Sequence, residues 1–336
     1  MDWMKRASLA ALSLGGWAPL AAQDIPDGAG TAEFQYIETL IYARPAGLAG
    51  AYTSLARGAD AVGYNPAGLS KLEGARSFSG TLRYSFLDVT SGNVTYAYPG
   101  ASRTYAFSLA YVNYGHIQEL DEEGRATGNE ILPTSFNPSF TAAGRFAERL
   151  RYGVTARGLS EYLGDFEGSQ LAWGWGVDLG LQYQPDARNV GFGLSLLNLG
   201  RKQAAHFTGG ESGGMLPASL KAGFFYYPLD LPKGRLALDL EVPWYDSPLV
   251  SGGLEYAYTP NFMLRVGSRL NWAEARHYFL KLTDQERGEF AGGNALKLAG
   301  GFSFEGEGIA VDYAVQYWLA LNWVHALTLR FALPGG

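Results

Sequence analysis

Cysteine is absent from this 336-residue sequence, which excludes a disulfide framework, a thiolate metal site and a cysteine nucleophile. Histidine is nearly as scarce. His116, His206, His277 and His325 are scattered without metal-ligand spacing, and neither a metal site, a cofactor nor an enzyme is read from the chain. Beyond Gln23 no run of 18 or more apolar residues occurs, so the mature chain contains no candidate transmembrane helix. An excess of basic residues is also missing: 26 Lys and Arg stand against 32 Asp and Glu, a net charge of −6. That sign argues against a nucleic-acid partner and against polybasic docking on anionic lipid.

What is present is apolar and small, with 47% hydrophobic residues, 14% aromatic residues and 45 glycines. Such a chain either buries a large core or shows apolar side chains to lipid as strands. The first 23 residues stand apart from the rest. In Met1–Gln23, Lys5 and Arg6 precede an apolar run from Ala7 to Trp17 and a small-residue exit near Ala21-Ala22, the order of a secretory signal peptide.

Strict two-residue alternation dominates the remainder. In Trp173 to Tyr183, WGWGVDLGLQY, the odd positions are large and apolar while the even ones are Gly, Gly, Asp, Gly and Gln. Successive strand side chains point to opposite faces, so this pattern gives one greasy and one small or polar face. It recurs over about fourteen segments: 75–88, 92–99, 103–117, 133–147, 150–161, 172–184, 190–199, 216–227, 235–242, 248–258, 261–271, 295–304, 308–317 and 323–333. Most are longer than the usual strand of about five or six residues, and tilted strands of about nine to eleven residues are what a bilayer requires.

The connections agree. The second, fourth, sixth, eighth, tenth and twelfth are short, and the long ones, Ile117–Leu132, Glu161–Leu171, Gly200–Met215 and Asn271–Asn294, fall only at odd positions. The expected fold is all-β, a 14-stranded antiparallel transmembrane barrel of a bacterial outer membrane, spanning 75–333, with its long loops outside the cell and membrane lipid as its surroundings. Its last strand carries Leu327, Leu329 and Phe331 on the outward face, resembling a terminal insertion signal.

On the opposite, luminal face the pattern places Arg83, Arg145, Arg151, Arg157, Asp178, Lys221, Asp239, Glu255, Arg265, Arg269, Lys297, Asp312 and Arg330. Charges withdrawn from water need partners, so a paired network filling the interior is expected, a polar channel being the alternative. Gly210-Glu211-Ser212-Gly213-Gly214 matches G-x-S-x-G but lacks the strand before and the helix after that a nucleophile elbow needs. Glu119, Asp121, Glu122 and Glu123 lack calcium-loop spacing and read as a solvated hairpin tip.

Residues 24–74 do not alternate and are expected to fold into the barrel as a plug, with a short helix over Leu48–Arg57 and a turn at Asn65-Pro66. Pro66 fixes its backbone angle and Gly68 permits a tight reversal, so Asn65, Pro66, Ala67 and Gly68 are assigned as a hinge or gate where the chain enters the wall, Asn65 bonding to that wall by its side chain.

The stretch ARPAGLAGAYTSLARGADAVGYNPAGLSKL resembles the N-terminal hatch of FadL-type barrels and, more closely, the PorV/PorQ outer-membrane proteins; YVNYGHIQELDEEGRATGNEILP is similar to a hairpin of the latter. This resemblance implies a barrel without catalytic chemistry that serves type IX secretion, anchoring or shuttling secreted proteins through its outer loops, with other secretion or cell-surface proteins as partners. Asn-Pro-Ala-Gly also marks the FadL-type channels, for which the implied function is uptake of hydrophobic solutes such as long-chain fatty acids, with lipid or fatty acid held in the barrel.

Overall fold

The protein is described by a computed structural model covering residues 31–39, 42–72, 75–85, 88–120, 123–164, 169–185, 189–207, 210, 213–273, 296–318 and 322–333. The signal-peptide reading and most of Asn271–Asn294 lie outside these residues. Among them no helix is long and apolar enough to cross a membrane.

The described residues form strands β1 (Arg76–Tyr84), β2 (Thr90–Pro99), β3 (Arg103–Asn113), β4 (Ile117–Leu120), β5 (Ala126–Ile131), β6 (Thr134–Ala147), β7 (Leu150–Tyr162), β8 (Ala172–Tyr183), β9 (Val190–Ala204), β10 (Ser219–Tyr226), β11 (Gly234–Pro243), β12 (Leu249–Thr259), β13 (Phe262–Asn271), β14 (Leu296–Glu305), β15 (Ile309–Trp318) and β16 (Asn322–Leu333), of which β4 and β5 fall within the connection expected over Ile117–Leu132. All but β4 and β5 join one closed antiparallel barrel of 14 strands. Its seam pairs β1 with β16, from Arg76 opposite Leu333 to Tyr84 opposite His325. Closure leaves no unpaired sheet edge, the condition for a sheet to sit in lipid.

Along β8 the two faces separate as the alternation requires: Trp173 and Trp175 are 49% and 47% exposed, whereas Asp178 and Gln182 are 0% and 3% exposed. The barrel has a short-turn end, where β1 begins and β16 finishes, and a long-loop end, where β3 passes to β6 and β9 to β10.

Local chemistry displaces several boundaries. The segment expected over 103–117 stops at Asn113, because Gly115 turns the chain at φ 81° and the following residues leave the wall as a separate β4–β5 hairpin. In β9 the strand continues to Ala204 rather than ending at 199, so Gly200–Ala204 is wall and not loop. A register shift opposite Val177–Leu179 accommodates Asn198 at φ 58°, whose backbone N–H donates to Asp178 Oδ1 at 2.7 Å. A bulge of this kind re-aims side chains and resets the alternation phase.

Inside the barrel lie α1 (Ala43–Gly47) and 3-10 turns at Gln35–Thr39, Gly58–Ala61 and Pro66–Lys71. The helix expected over Leu48–Arg57 is instead at Ala43–Gly47, since Ala49 (φ 51°) and Gly50 (φ 90°) take left-handed conformations that end it. Past that point the wall supplies the backbone's partners. Asp239 Oδ2 accepts from the N–H groups of Tyr52 and Thr53 at 3.0 and 2.8 Å, and Gln182 Nε2 donates toward the carbonyls of Thr53, Ser54 and Ala56 at 3.1 to 3.2 Å.

Candidate functional site

The luminal segment is seated by glycines. A methyl group at Gly153 would overlap the Pro66 carbonyl group, one at Gly180 the Asn65 side chain, and one at Gly193 the Thr53 carbonyl, while Gly253 and Gly267 meet Leu48 in the same way. The small face read from alternation is therefore shaped to accept another backbone at contact distance.

Asn65 is fully buried and caps the turn Pro66–Lys71: its Oδ1 accepts from Ala67 N–H at 3.1 Å, and Pro66 occupies the first position, where no amide hydrogen is needed. Its Nδ2 donates to the carbonyls of Thr53 (3.0 Å), Leu181 (2.9 Å) and Leu194 (3.3 Å), so it ties segment to wall. Gly68 differs from the sequence reading. It has no positive φ; its need for glycine is close packing on Ala56.

The luminal charges form clusters rather than one network. Glu255 pairs with Arg44 of α1 at 3.0 Å, Arg265 at 2.8 Å and Arg235 at 3.5 Å. Asp312 takes Arg265 at 3.3 Å and Arg330 at 2.9 Å, and Arg330 reaches Glu305 at 3.2 Å and Asp60 at 3.9 Å. Asp60 is 1% exposed, and burial pushes its carboxyl up from the usual carboxylate range. Glu241 joins Lys221 at 3.0 Å and Arg269 at 2.9 Å, and Asp178 pairs with Arg157.

The remaining expected members have other surroundings, Asp239 accepting from the backbone N–H groups of Tyr52 and Thr53. Arg145 is exposed, and Arg151 donates to the Ser70 carbonyl at 3.3 Å. Arg83 and Lys297 both lie against Trp318, with Arg83 Cζ 5.9 Å and Lys297 Nζ 3.4 Å from the ring centroid, an aromatic face serving where a carboxylate was expected. Sequence reasoning missed Arg44 and Asp60, which lie in the segment without alternation. It also missed Glu241, although its position two residues beyond Asp239 placed it on the same strand face.

In the long-loop half of the lumen these elements line a cavity of about 520 Å³. Residues 35–38 border it on one side, and Tyr42, Val62 and Tyr64 of the inner segment on the other; Lys221, Arg269, Lys297 and Trp318 come from the wall. On the outer wall an apolar recess lies between Phe78, Val94, Phe107, Leu109 and Phe140. Cavity and recess both touch Ser108, Ser139 and Arg157. This is where the ladder is interrupted: β6 pairs with β7 at Phe136 opposite Ser160 and again at Ser139 opposite Arg157, skipping Asn137 and Pro138. Proline has no N–H to give the ladder, and Asn137 Oδ1 is buried without a hydrogen bond.

Of the other motifs, Glu211 and Ser212 lie outside the described residues, as do Asp121 and Glu122. Glu119 accepts from Thr127 Oγ1 at 2.7 Å and Asn129 Nδ2 at 2.8 Å within the β4–β5 hairpin. Among the described residues no cluster could hold a metal.

No protein-family model and no curated protein matches the sequence, so the finer likeness to PorV/PorQ proteins gains no support. Solved structures do match. The chain is similar to the CymD monoaromatic hydrocarbon channel (15% identity, 88% of this chain and 98% of that one, TM-score 0.60). It is similar to the Pseudomonas putida toluene transporter TodX (13%, 87% and 97%, TM-score 0.60) and to a Pseudomonas aeruginosa FadL homologue (10%, 87% and 98%, TM-score 0.55). At these identities the shared property is the fold alone, a closed antiparallel β-barrel.

Proposed function

We propose that this protein is a bacterial outer-membrane channel for small hydrophobic solutes, its long-loop end outside the cell. The observation that carries this reading is the shared border of cavity and recess at Ser108, Ser139 and Arg157, beside the ladder gap at Asn137–Pro138. An apolar solute has a short route there between the lumen and the hydrocarbon phase, which spares it a passage through water. The cavity volume falls within the roughly 300–1,000 Å³ of small-molecule sites. The barrel neighbours described as hydrocarbon channels and a toluene transporter favour this reading over type IX secretion, for which no feature of the cavity or wall speaks. Residues 42–72 act as the hatch, anchored at Asn65–Gly68.

The test is uptake of labelled toluene and of a labelled long-chain fatty acid by proteoliposomes. Pro138→Ser restores an N–H to the ladder and is expected to lower uptake severalfold while leaving the barrel folded. Uptake no greater than that of empty liposomes for both solutes would overturn the reading.

A further inference from the structure

Residues 31–39 are built differently from the segment that follows them. Residues 42–72 press backbone against glycines on β7, β8, β9, β12 and β13, so their removal would uncover a fitted surface. Residues 31–39 cross the long-loop end of the lumen as a single 3-10 turn, Gln35–Thr39, and are held mostly by side chains. Glu33 donates its backbone N–H to Met215 O at 3.0 Å and pairs through its carboxylate with Lys202 Nζ at 2.6 Å. Tyr36 Oη donates toward the carbonyls of Phe136 (3.1 Å) and Ser160 (3.3 Å), and Tyr245 Oη donates to the Glu38 carboxylate. These partners belong to β6, β7, β9, the chain leading into β10 and the β11–β12 connection, so the nine residues tie several parts of the rim together.

Three further facts bear on what the segment does. Gln35, Tyr36, Ile37 and Glu38 border the luminal cavity, opposite the hatch. Phe34 and Ile37 pack in an apolar cluster with Val112, Leu159 and Leu216, all buried at that end. Phe34 holds φ 53°, a conformation unusual for a bulky residue and one that releasing the segment would relieve.

We propose that residues 31–39 are an internal strap that closes the long-loop end of the cavity, and that its release, with the hatch left in place, is the step that admits solute from that side. The inference rests on the channel reading only for the word solute; the strap's position and its release are properties of the chain alone. Side-chain anchors of this kind open locally at a small fraction of the global unfolding free energy, whereas a backbone seated on several strands does not.

The absence of native cysteine makes the test clean. A Cβ added at Gly214 would lie 2.5 Å from Glu33 Cγ, which brings a Glu33→Cys/Gly214→Cys pair within disulfide reach. The pair is expected to cross-link on oxidation, to lower solute uptake at least fivefold, and to recover with reductant. Failure to cross-link in a folded barrel would overturn the strap's position, and cross-linking with unchanged uptake would overturn its gating role.

A second measurement needs no transport. In Ala110→Cys, a cavity-bordering reporter, an impermeant maleimide added from the long-loop side is expected to react at least tenfold faster once the anchors are removed by Lys202→Ala, Tyr36→Phe and Tyr245→Phe. An unchanged rate, with the barrel still heat-modifiable on gels, would overturn the proposal. If the cross-link forms and the labelling rate rises while wild-type protein takes up neither toluene nor fatty acid, the strap stands and the channel reading falls.

Discussion

The side-chain amide of Asn65 donates to the carbonyls of Leu181 and Leu194, two residues that face one another across β8 and β9. One buried side chain thus satisfies two wall carbonyls and caps its own turn. Replacing Asn65 with Asp keeps the shape but turns the donors into a carboxylate facing three carbonyl oxygens. Asn65→Asp is expected to destabilise the docked hatch by about 3 kcal/mol, and Asn65→Ala by about 1–3 kcal/mol. Hydrogen exchange across residues 42–72 in detergent is the measurement, and unchanged protection in both variants would refute the anchoring role.

The glycine seat makes a contrast that is independent of charge. Gly153→Ala and Gly180→Ala place a methyl inside the hatch backbone or the Asn65 side chain, whereas Gly80→Ala on β1 meets nothing within 4 Å. The first two are expected to lower stability by about 1–3 kcal/mol and to open residues 42–72 to protease with the barrel still folded. Gly80→Ala should behave as wild type. Equal behaviour of the three variants would show that the close approach has no energetic weight.

Glu255 lies among three cations, Arg44, Arg265 and Arg235. Removing the carboxylate leaves buried positive charge uncompensated, so Glu255→Gln is expected to cost about 3–5 kcal/mol. Arg44→Met leaves Glu255 with two partners and should cost less. Thermal unfolding in detergent orders the variants, and a larger loss for Arg44→Met than for Glu255→Gln would contradict this account.

Lys71 ends the Pro66–Lys71 turn, and burial, helped by the neighbouring cations Arg151, Arg235, Arg57 and Arg44, lowers its ammonium from the usual range to about 7. Once unfolded the same group titrates near 10.4, so between these values the unfolded chain binds the extra proton. The unfavourable contribution is fully present below about pH 7 and fades as the pH rises toward about 10. Wild-type thermal midpoints should therefore rise over that window relative to Lys71→Met. Parallel pH profiles for the two proteins would exclude the effect.

Period-two alternation made the wall legible because a barrel strand has two environments along its whole length. Trp173 to Tyr183 carries that signal without interruption, and β8 occupies Ala172–Tyr183. Alternation says nothing about where a strand leaves the sheet, which is why the turn at Gly115 and the bulge at Asn198 were missed. It also cannot report partners that lie outside the wall. The luminal positions of Glu255 and Asp312 were readable, but Arg44 and Asp60, which complete their clusters, sit in a segment whose conformation is dictated by the surface it rests on. For the same reason the apolar and small residues of Leu48–Arg57 carry a helical pattern that Asp239 and Gln182 override by claiming the backbone. The ladder gap was legible only as Pro138 inside an otherwise regular segment.

The fitted glycines also bear on how the molecule is made. Contact-distance seating of the inner segment on glycines of strands as far apart as β7 and β13 opposes threading residues 42–72 into a finished cylinder. Closure of the β1–β16 seam, where the first and last barrel strands meet, is then expected to follow the filling of the lumen. In refolding experiments the protease resistance of residues 42–72 should then arise no later than the heat-modifiable barrel band, so that biogenesis of the wall and docking of its contents are a single event.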